Sequence, residues 1–433
     1  MHGRGAAPLA RRFTLATTTG RAVTRTLFGK QRRMATATAT ATATTAATPL
    51  PPLGVSGQST NPLPSFLRLI AAVNKGVGAI EREGLVRLVV AQPAGAADAV
   101  VGHVRPEFLP TLLAADAPAT GGGGALVPSG GGGGAGSGKD APRRPPASIA
   151  LHPSLATPGQ RTAAMAKTAA SLRDRGVVSG WRGEPYPIFG DGAAWSPSSG
   201  AGDGEGAGAG GGGPLFEVER AVVPWLGARA FGVHVNGYVA SPGGGGRPAA
   251  VWVARRSRSK PTWPGMLDHL AAGGQPAGMG AAENAVKEAW EEAGVPREMC
   301  CAPGGGGGGG NGGAGGLRPV GTVTYRGLSS EGLKPDTLFV FDLELPADFV
   351  PEPQDGEVEA FELWSVARVR EALATAGPPA AGDAGNAADA VPPPYPPFKP
   401  NVAVVMIDFL VRHGFVGPDT GPEYAEVVAR LRQ

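Results

Sequence analysis

The chain has no Asp or Glu between Met1 and Ile80. Over that stretch Arg4, Arg11, Arg12, Arg21, Arg25, Lys30, Arg32 and Arg33 crowd the start, and alternating Ala-Thr follows to about Gly54. An acid-free, Arg-rich, hydroxyl-rich beginning has the composition of an organelle transit peptide. Residues 1–54 are therefore expected to be a disordered targeting segment. Its heavy Ala/Thr content favours the chloroplast, with the mitochondrion as the alternative and a basic tail touching nucleic acid as the competing reading. Cysteine is almost missing too: Cys300 and Cys301 are the only two. Being adjacent, they exclude a disulfide framework and metal-ligand spacing, and they fit a reducing compartment. Long apolar runs are absent. The best, Val402 to Val411, is broken by Asp408 and falls short of the roughly 18–20 residues a membrane span needs. Nor is there an excess of one charge, with 39 Lys and Arg against 36 Asp and Glu. The N-terminal cations exceed that margin, so the remainder is net acidic and offers no folded basic face to nucleic acid. Neither nucleic acid nor membrane is expected as a partner.

What the chain has in abundance is Gly, 71 residues, and Pro, 43, about a quarter of the whole and far above ordinary usage. Much of the excess sits in 118–147, 200–214, 303–316 and 376–397, which read as surface insertions with almost nothing to bury. Without them and the leader, enough chain remains for two cores of about 150 residues each. The expected division is an N-terminal α+β domain over 60–225 and a second domain over 230–433.

In the first, Phe66, Leu67, Leu69, Ile70 and Val73 recur at helical spacing. Leu85–Val90 and Val100–Val104 read as strands, and 162–172 as a helix. Trp181, Arg182 and Tyr186 mark a turn-rich stretch. His103 and His152 fit satisfied polar residues better than ligands. In the second, Phe231 to Val239 alternates as a strand, with Val233 and Val235 opposite His234 and Asn236. Gly243–Gly246 form a turn into the strand Val251–Ala254. Strands are expected again over 320–325 and 337–345, where Leu338, Val340 and Asp342 alternate with Phe339, Phe341 and Leu343. Val402–Val411 reads as an apolar helix. Strands, a helix, more strands and a last helix make α+β with a mixed sheet between helices.

The chemistry lies between those strand groups. Gly273 to Gly280 is too rich in Gly and Pro for regular structure and runs into a helix pattern, with Glu283 in its first turn and Gly294 as its stop. Ala282, Val286, Ala289 and Ala293 give one face of small residues. Glu288, Glu291 and Glu292, at i, i+3 and i+4, project from one patch and repel one another. That pattern suits a solvated acidic face, or hard oxygen ligands for Mg2+ or Mn2+. The neighbouring Gly-rich loop, whose backbone can come close to a ligand, shifts the balance to a cation site.

Gly273 and the run Lys287-Glu288-Ala289-Trp290-Glu291-Glu292-Ala293-Gly294-Val295 resemble the Nudix hydrolase box, G-x5-E-x7-R-E-U-x-E-E-x-G-U. Met279 stands where the box has its first Glu, Lys287 where it has Arg, and Ala289 is smaller than usual. The strings Trp252 to Ser257, Lys260 to Asp268, Gln354 to Glu359, and Phe398 to Asn401 with Ile407 to Phe415 are similar to the thiamine pyrophosphokinase-related Nudix proteins of plants and fungi. So are Phe66 to Leu69, Val104 to Pro106 and Gly232 to Tyr238 in the module before the box.

That resemblance implies a Nudix fold after a smaller α+β domain, and hydrolysis of the diphosphate bond of a small molecule. It implies Mg2+ or Mn2+ on Glu288, Glu291 and Glu292, with catalysis through Glu291, Glu292 and a further glutamate from a distant loop, for which Glu357 is the candidate. Gly273 and Gly274 would let the main chain approach the phosphates, and Arg255, Arg256 and Lys260 would bind them. Trp263 and Trp290 are candidates to stack on the substrate ring. The implied substrates are thiamine diphosphate analogues such as oxo- or oxythiamine diphosphate. Oxidised nucleoside diphosphates are the alternative, and a non-catalytic binding module is the rival from another class.

Overall fold

The computed structural model describes residues 61–92, 97–116, 124–129, 147–191, 213–301, 316–376 and 394–432; the expected targeting segment 1–54 lies outside them. No helix among the described residues is long and apolar enough to cross a membrane.

The chain opens with helices α1 (Leu63–Val73) and α2 (Ala79–Arg82), then β1 (Val86–Val90), β2 (Ala99–Val104), α3 (Leu109–Asp116), β3 (Leu126–Ser129) and β4 (Ser148–Leu151). Helix α4 (Pro158–Asp174), strands β5 (Pro185–Ile188) and β6 (Phe216–Glu219) and helix α5 (Val223–Leu226) complete the first module. Its main sheet runs β2-β1-β4-β3, with β4 parallel to β1; β5 and β6 form a separate antiparallel pair. Helix α4 begins where Thr157 and Gln160 exchange side-chain to backbone hydrogen bonds, with Pro158 in its first turn. It buries Met165, Ala169 and Leu172 against Leu88, Leu112, Ile149 and Phe216. Strand β3 lies inside the stretch 118–147, expected to be an insertion. Between two glycine runs Leu126 is buried and Leu126–Ser129 pair with β4, so part of that stretch belongs to the sheet.

The second module contains β7 (Ala230–Ala240), β8 (Pro248–Arg256), β9 (Leu267–Asp268), β10 (Ala271–Gly274), α6 (Ala281–Ala293), α7 (Arg297–Cys301) and β11 (Arg318–Ser329). It continues with β12 (Gly332–Glu344), β13 (Val358–Ser365), α8 (Val366–Thr375), α9 (Pro400–Arg412) and α10 (Tyr424–Arg430). The sheet order is β11-β12-β7-β8-β13, with β10 also on β7 and β9 on β8. Strands β7 and β12 are parallel and their other pairings antiparallel, so the sheet is mixed. The strand alternation sorts side chains between two layers. Val233, Val235, Phe341 and Leu343 pack against Ala285 and Ala289 of α6. Leu338, Val340, Val251 and Val253 face Val402, Val405 and Met406 of α9. The α+β reading, with a mixed sheet between helices, holds.

One helix lies across the expected border between 60–225 and 230–433. Leu63, Phe66 and Ile70 of α1 are fully buried in the second core, among Leu373 of α8, Phe409 of α9 and Val427 of α10. Helical spacing shows that a face is buried, not against which partner.

Candidate active site

Strand β10 and helix α6 build the centre. The stretch 273–280, expected to be irregular, begins as strand: Gly273 and Gly274 pair with Val233 and Gly232 of β7. The turn that follows is held from inside by two fully buried amides. Gln275 Nε2 donates to the Met279 carbonyl at 2.6 Å, and Asn284 Nδ2 donates to the Gly274 carbonyl at 2.8 Å. Helix α6 stops at Gly294, whose φ of 64° is left-handed, as the sequence leads one to expect. Its buried face is Ala285, Val286, Ala289 and Ala293; Ala282, expected there, is exposed, and Ala285 takes its place.

The three box carboxylates differ. Glu288 presses on the β10 backbone so closely that a Cβ at Gly273 would lie 2.2 Å from its carboxyl carbon. A side chain at Gly273 would displace the Glu288 carboxylate from this position. Glu291 is half-exposed and paired with Lys287 at 2.6 Å; the same ammonium reaches Glu288 at 3.2 Å. Glu292 is not on a solvated face: it is 8% exposed, and its Oε2 accepts the Ala272 backbone N–H at 3.0 Å. Burial pushes the Glu292 carboxyl well above the usual carboxylate range, and the charge of Asp268 adds to the shift. Burial also raises Glu288, against the pull of Lys287. Burial would lower Lys287, but Glu291 and Glu288 hold its ammonium above its ordinary value.

Among the described residues, no three His, Cys, Asp or Glu side chains already converge as a metal cage. The donor set nevertheless fits a hard divalent cation. Lys287 is itself a cation held between two of the carboxylates, on a side chain 40% exposed. Glu292 is a buried acid that lacks a compensating positive partner.

Glu357, more than sixty residues further along the chain, comes to the same neighbourhood, where its charge acts on both Glu288 and Glu292. It sits just before β13 and pairs with Lys260 at 2.5 Å. Burial alone would raise its carboxyl, but the Lys260 ammonium outweighs that and holds it below the usual value.

The arginines separate. Neighbours on a strand point to opposite faces, so Arg255 and Arg256 cannot both serve one site. Arg255 pairs with Glu362 at 3.3 Å, on the layer away from α6. Arg256 bonds Asp268 at 2.7 Å and donates to the carbonyls of Thr262 and Trp263 at 3.1 Å each, so its guanidinium braces this loop. Trp263 takes a positive φ of 53°, the one described non-glycine residue to do so. Its side chain and that of Trp290 are exposed.

Gln275, Asn284, Asp268 and Tyr186 were not expected at the site. Two buried amides bracketing a Gly-Pro turn are a readable signal of an internally bonded loop. Tyr186, which comes from the first module, left no such mark.

No family model matches the chain. Two curated plant proteins do match it. The chain is similar to Nudix hydrolases. It is 37% identical over 291 residues to "Nudix hydrolase 20, chloroplastic" of Arabidopsis thaliana, across 67% of this chain and 63% of that one. It is 34% identical over 284 residues to "Nudix hydrolase 24, chloroplastic" of the same plant, across 66% and 62%. The chain thus spans less than two thirds of the length of these relatives. Among solved structures, a Nudix hydrolase from M. smegmatis, RenU, is 16% identical across 43% of this chain and 86% of that one, with a TM-score of 0.27. A superposition that loose says nothing of chemistry.

Proposed function

We propose that this chain is a Nudix hydrolase that cleaves a diphosphate bond of a small molecule, with Mg2+ or Mn2+ held by Glu288, Glu291 and Glu292. The observation that carries the reading is Glu292: a carboxylate buried beside Glu288 with a single backbone donor is costly unless a cation joins it. When bound, such a cation polarises phosphoryl oxygens and offsets the charge that develops on them. Gly273 and Gly274, having no Cβ, let Glu288 and the Tyr186 hydroxyl pack directly on the β10 backbone. Lys260 keeps the Glu357 carboxyl ionised, which suits it to accept a proton from the attacking water. Lys260, a candidate phosphate cation, is engaged by Glu357. Arg256 acts on the loop that presents Trp263, and Arg255 has no part in substrate binding.

The exposed rings of Trp263 and Trp290 favour a substrate with a flat ring. We assign it to the thiamine diphosphate analogues, oxo- or oxythiamine diphosphate, on the strings similar to the thiamine pyrophosphokinase-related proteins. Oxidised nucleoside diphosphates are the second reading. The composition of residues 1–54 and the word "chloroplastic" in two relatives' names support a chloroplast location.

The test is phosphate release from purified protein with Mg2+ or Mn2+, beside Glu291→Gln and Glu292→Gln. Equal background from all three would sink the enzyme and leave a binding module. A panel of oxythiamine diphosphate, an 8-oxo nucleoside diphosphate and ADP-ribose fixes the substrate; turnover of nucleotides alone removes the thiamine assignment.

A further inference from the structure

The module over β1 to α5 touches the proposed site at one place. Strand β5 lies along the turn after β10, where the Ala277 N–H donates to the Pro185 carbonyl at 3.1 Å. The next residue, Tyr186, is 6% exposed and puts its hydroxyl directly over Gly274: a Cβ there would lie 1.4 Å from it. Gly273 beside it is the residue against which Glu288 rests. The Tyr186 ring lies under the Arg220 guanidinium at 5.3 Å, and Arg220 is in turn paired with Glu184 at 2.7 Å, so the phenol is braced from behind.

Four residues before Tyr186, Arg182 sits in a turn between Gly180 and Gly183, both left-handed at φ 73°. Its backbone N–H is held by Glu219 of β6 at 2.9 Å. Its side chain is exposed and makes no hydrogen bond or ion pair among the described residues, while its charge reaches Glu357. The other cations near this edge are engaged: Lys260 by Glu357, Arg256 by Asp268, Arg220 by Glu184, Lys287 by Glu288 and Glu291. Arg182 is thus a tethered guanidinium with open donors, four residues ahead of Tyr186 on the segment that leads into the strand lying along the turn after β10.

We propose that the β5–β6 hairpin of the first module is a wall of the diphosphate site, with Tyr186 a positioning residue for the Gly273–Glu288 contact and Arg182 the cation that binds the substrate's phosphates. The proposal rests on the diphosphate reading above for the chemistry of the ligand. It gives the first module a task in the reaction: the site is incomplete without it. Planar, forked donors suit a phosphate better than an ammonium does.

The experiment uses the full chain and imidodiphosphate, whose P–N–P bridge resists hydrolysis, titrated calorimetrically in the presence of Mg2+. Arg182→Ala is expected to weaken binding about tenfold, the loss of one or two charge-assisted hydrogen bonds, with Arg182→Lys recovering part of it. Tyr186→Ala is expected to raise the Mg2+ needed for half-maximal binding several-fold, and Tyr186→Phe, which keeps the ring under Arg220 but loses the hydroxyl over Gly274, to recover only part of it. A merely structural Tyr186 would alter the melting temperature without moving the Mg2+ requirement. Unchanged affinity in Arg182→Ala with an unchanged Mg2+ requirement in Tyr186→Ala would overturn the proposal, and so would a parent protein that does not bind the probe. The two readings fail separately. Turnover that Glu291→Gln abolishes but neither hairpin substitution alters removes the wall and keeps the hydrolase. Arg182-dependent binding without phosphate release keeps the wall and removes the hydrolase.

Discussion

Glu292→Gln is expected to make the metal-free protein more stable while removing its activity. The parent carboxyl is 8% exposed and has one donor, the Ala272 N–H, which a glutamine oxygen accepts equally well. The substitution therefore removes the charge and keeps the hydrogen bond. Burial, with Asp268 next in weight, holds the Glu292 carboxyl well above its ordinary value in the folded chain. The sign follows from proton counting. Below the ordinary carboxylate range both folded and unfolded chains keep the proton, and the variant and parent are alike. As pH rises past that range the unfolded chain gives the proton up first, so the parent loses stability until the raised folded value is passed. At pH 8 a buried, poorly compensated carboxylate costs about 1–3 kcal/mol. At roughly 2–4 °C per kcal/mol for a domain of this size, Glu292→Gln should melt several degrees above the parent in chelator. With Mg2+ the order reverses, because only the parent gains from binding. Phosphate release is expected to fall by about a hundredfold or more, as when one group that stabilises transition-state charge is removed. Differential scanning fluorimetry at pH 5 and pH 8, with and without Mg2+, reads all of this. A variant that melts at or below the parent at pH 8 in chelator, or that gains as much as the parent from Mg2+, refutes the assignment of Glu292 as a strained ligand.

Other substitutions test other parts of the structure. Gly274→Ala drives a methyl into the Tyr186 hydroxyl and is expected to cost about 1–3 kcal/mol in urea unfolding, as overpacking does, with much of the loss recovered in the double variant with Tyr186→Ala. Asp342→Asn breaks a buried network in which Asp342 accepts from Arg412 at 2.7 Å, from His413 at 2.8 Å and from Asn236 at 2.9 Å. The expected loss at pH 7 is about 3–5 kcal/mol. Burial would raise the Asp342 carboxyl, but His413 and Arg412 hold it well below the usual range. The parent's advantage is therefore present at neutral pH and fades as pH falls through that low value, which urea midpoints at pH 7 and in strong acid would show. Arg256→Lys cannot hold Asp268 and two carbonyls at once. It is expected to lower the melting temperature by a few degrees, since each charged hydrogen bond is worth about 1.5–3 kcal/mol; an unchanged melt would show that the loop does not depend on the fork.

The legible parts of this molecule are those that depend on nearby residues. Strand alternation over 231–239 and 337–345 predicts two opposite faces, and the structure puts Val233, Val235, Phe341 and Leu343 on the α6 side and Leu338 and Val340 on the α9 side. The stop at Gly294 follows from the sequence as well, its left-handed φ being one that glycine adopts freely. What could not be read is long-range. That α1 belongs to the second core and that Tyr186 lies on Gly274 depend on contacts between segments far apart in sequence, which periodicity does not encode; the approach of Glu357 to Glu288 is equally long-range and is expected only through the family resemblance. Arg255 and Arg256 show a different failure: both are cations in one short run, yet period-2 geometry sends them to opposite faces. Composition misled over 118–147, where four residues between glycine runs form an edge strand.

Helix α1 is made long before the helices that finish covering it. Its apolar side, Leu63, Phe66 and Ile70, leaves the ribosome first, but the helices that cover it, α9 and α10, are the last to appear. At about 5–20 residues per second that interval is tens of seconds. Until α9 and α10 appear, the helix has only part of its cover, from β11 and α8, and its apolar side is a handle for a holding chaperone or a seed for aggregation. A truncated chain ending before residue 400 keeps that exposure permanently.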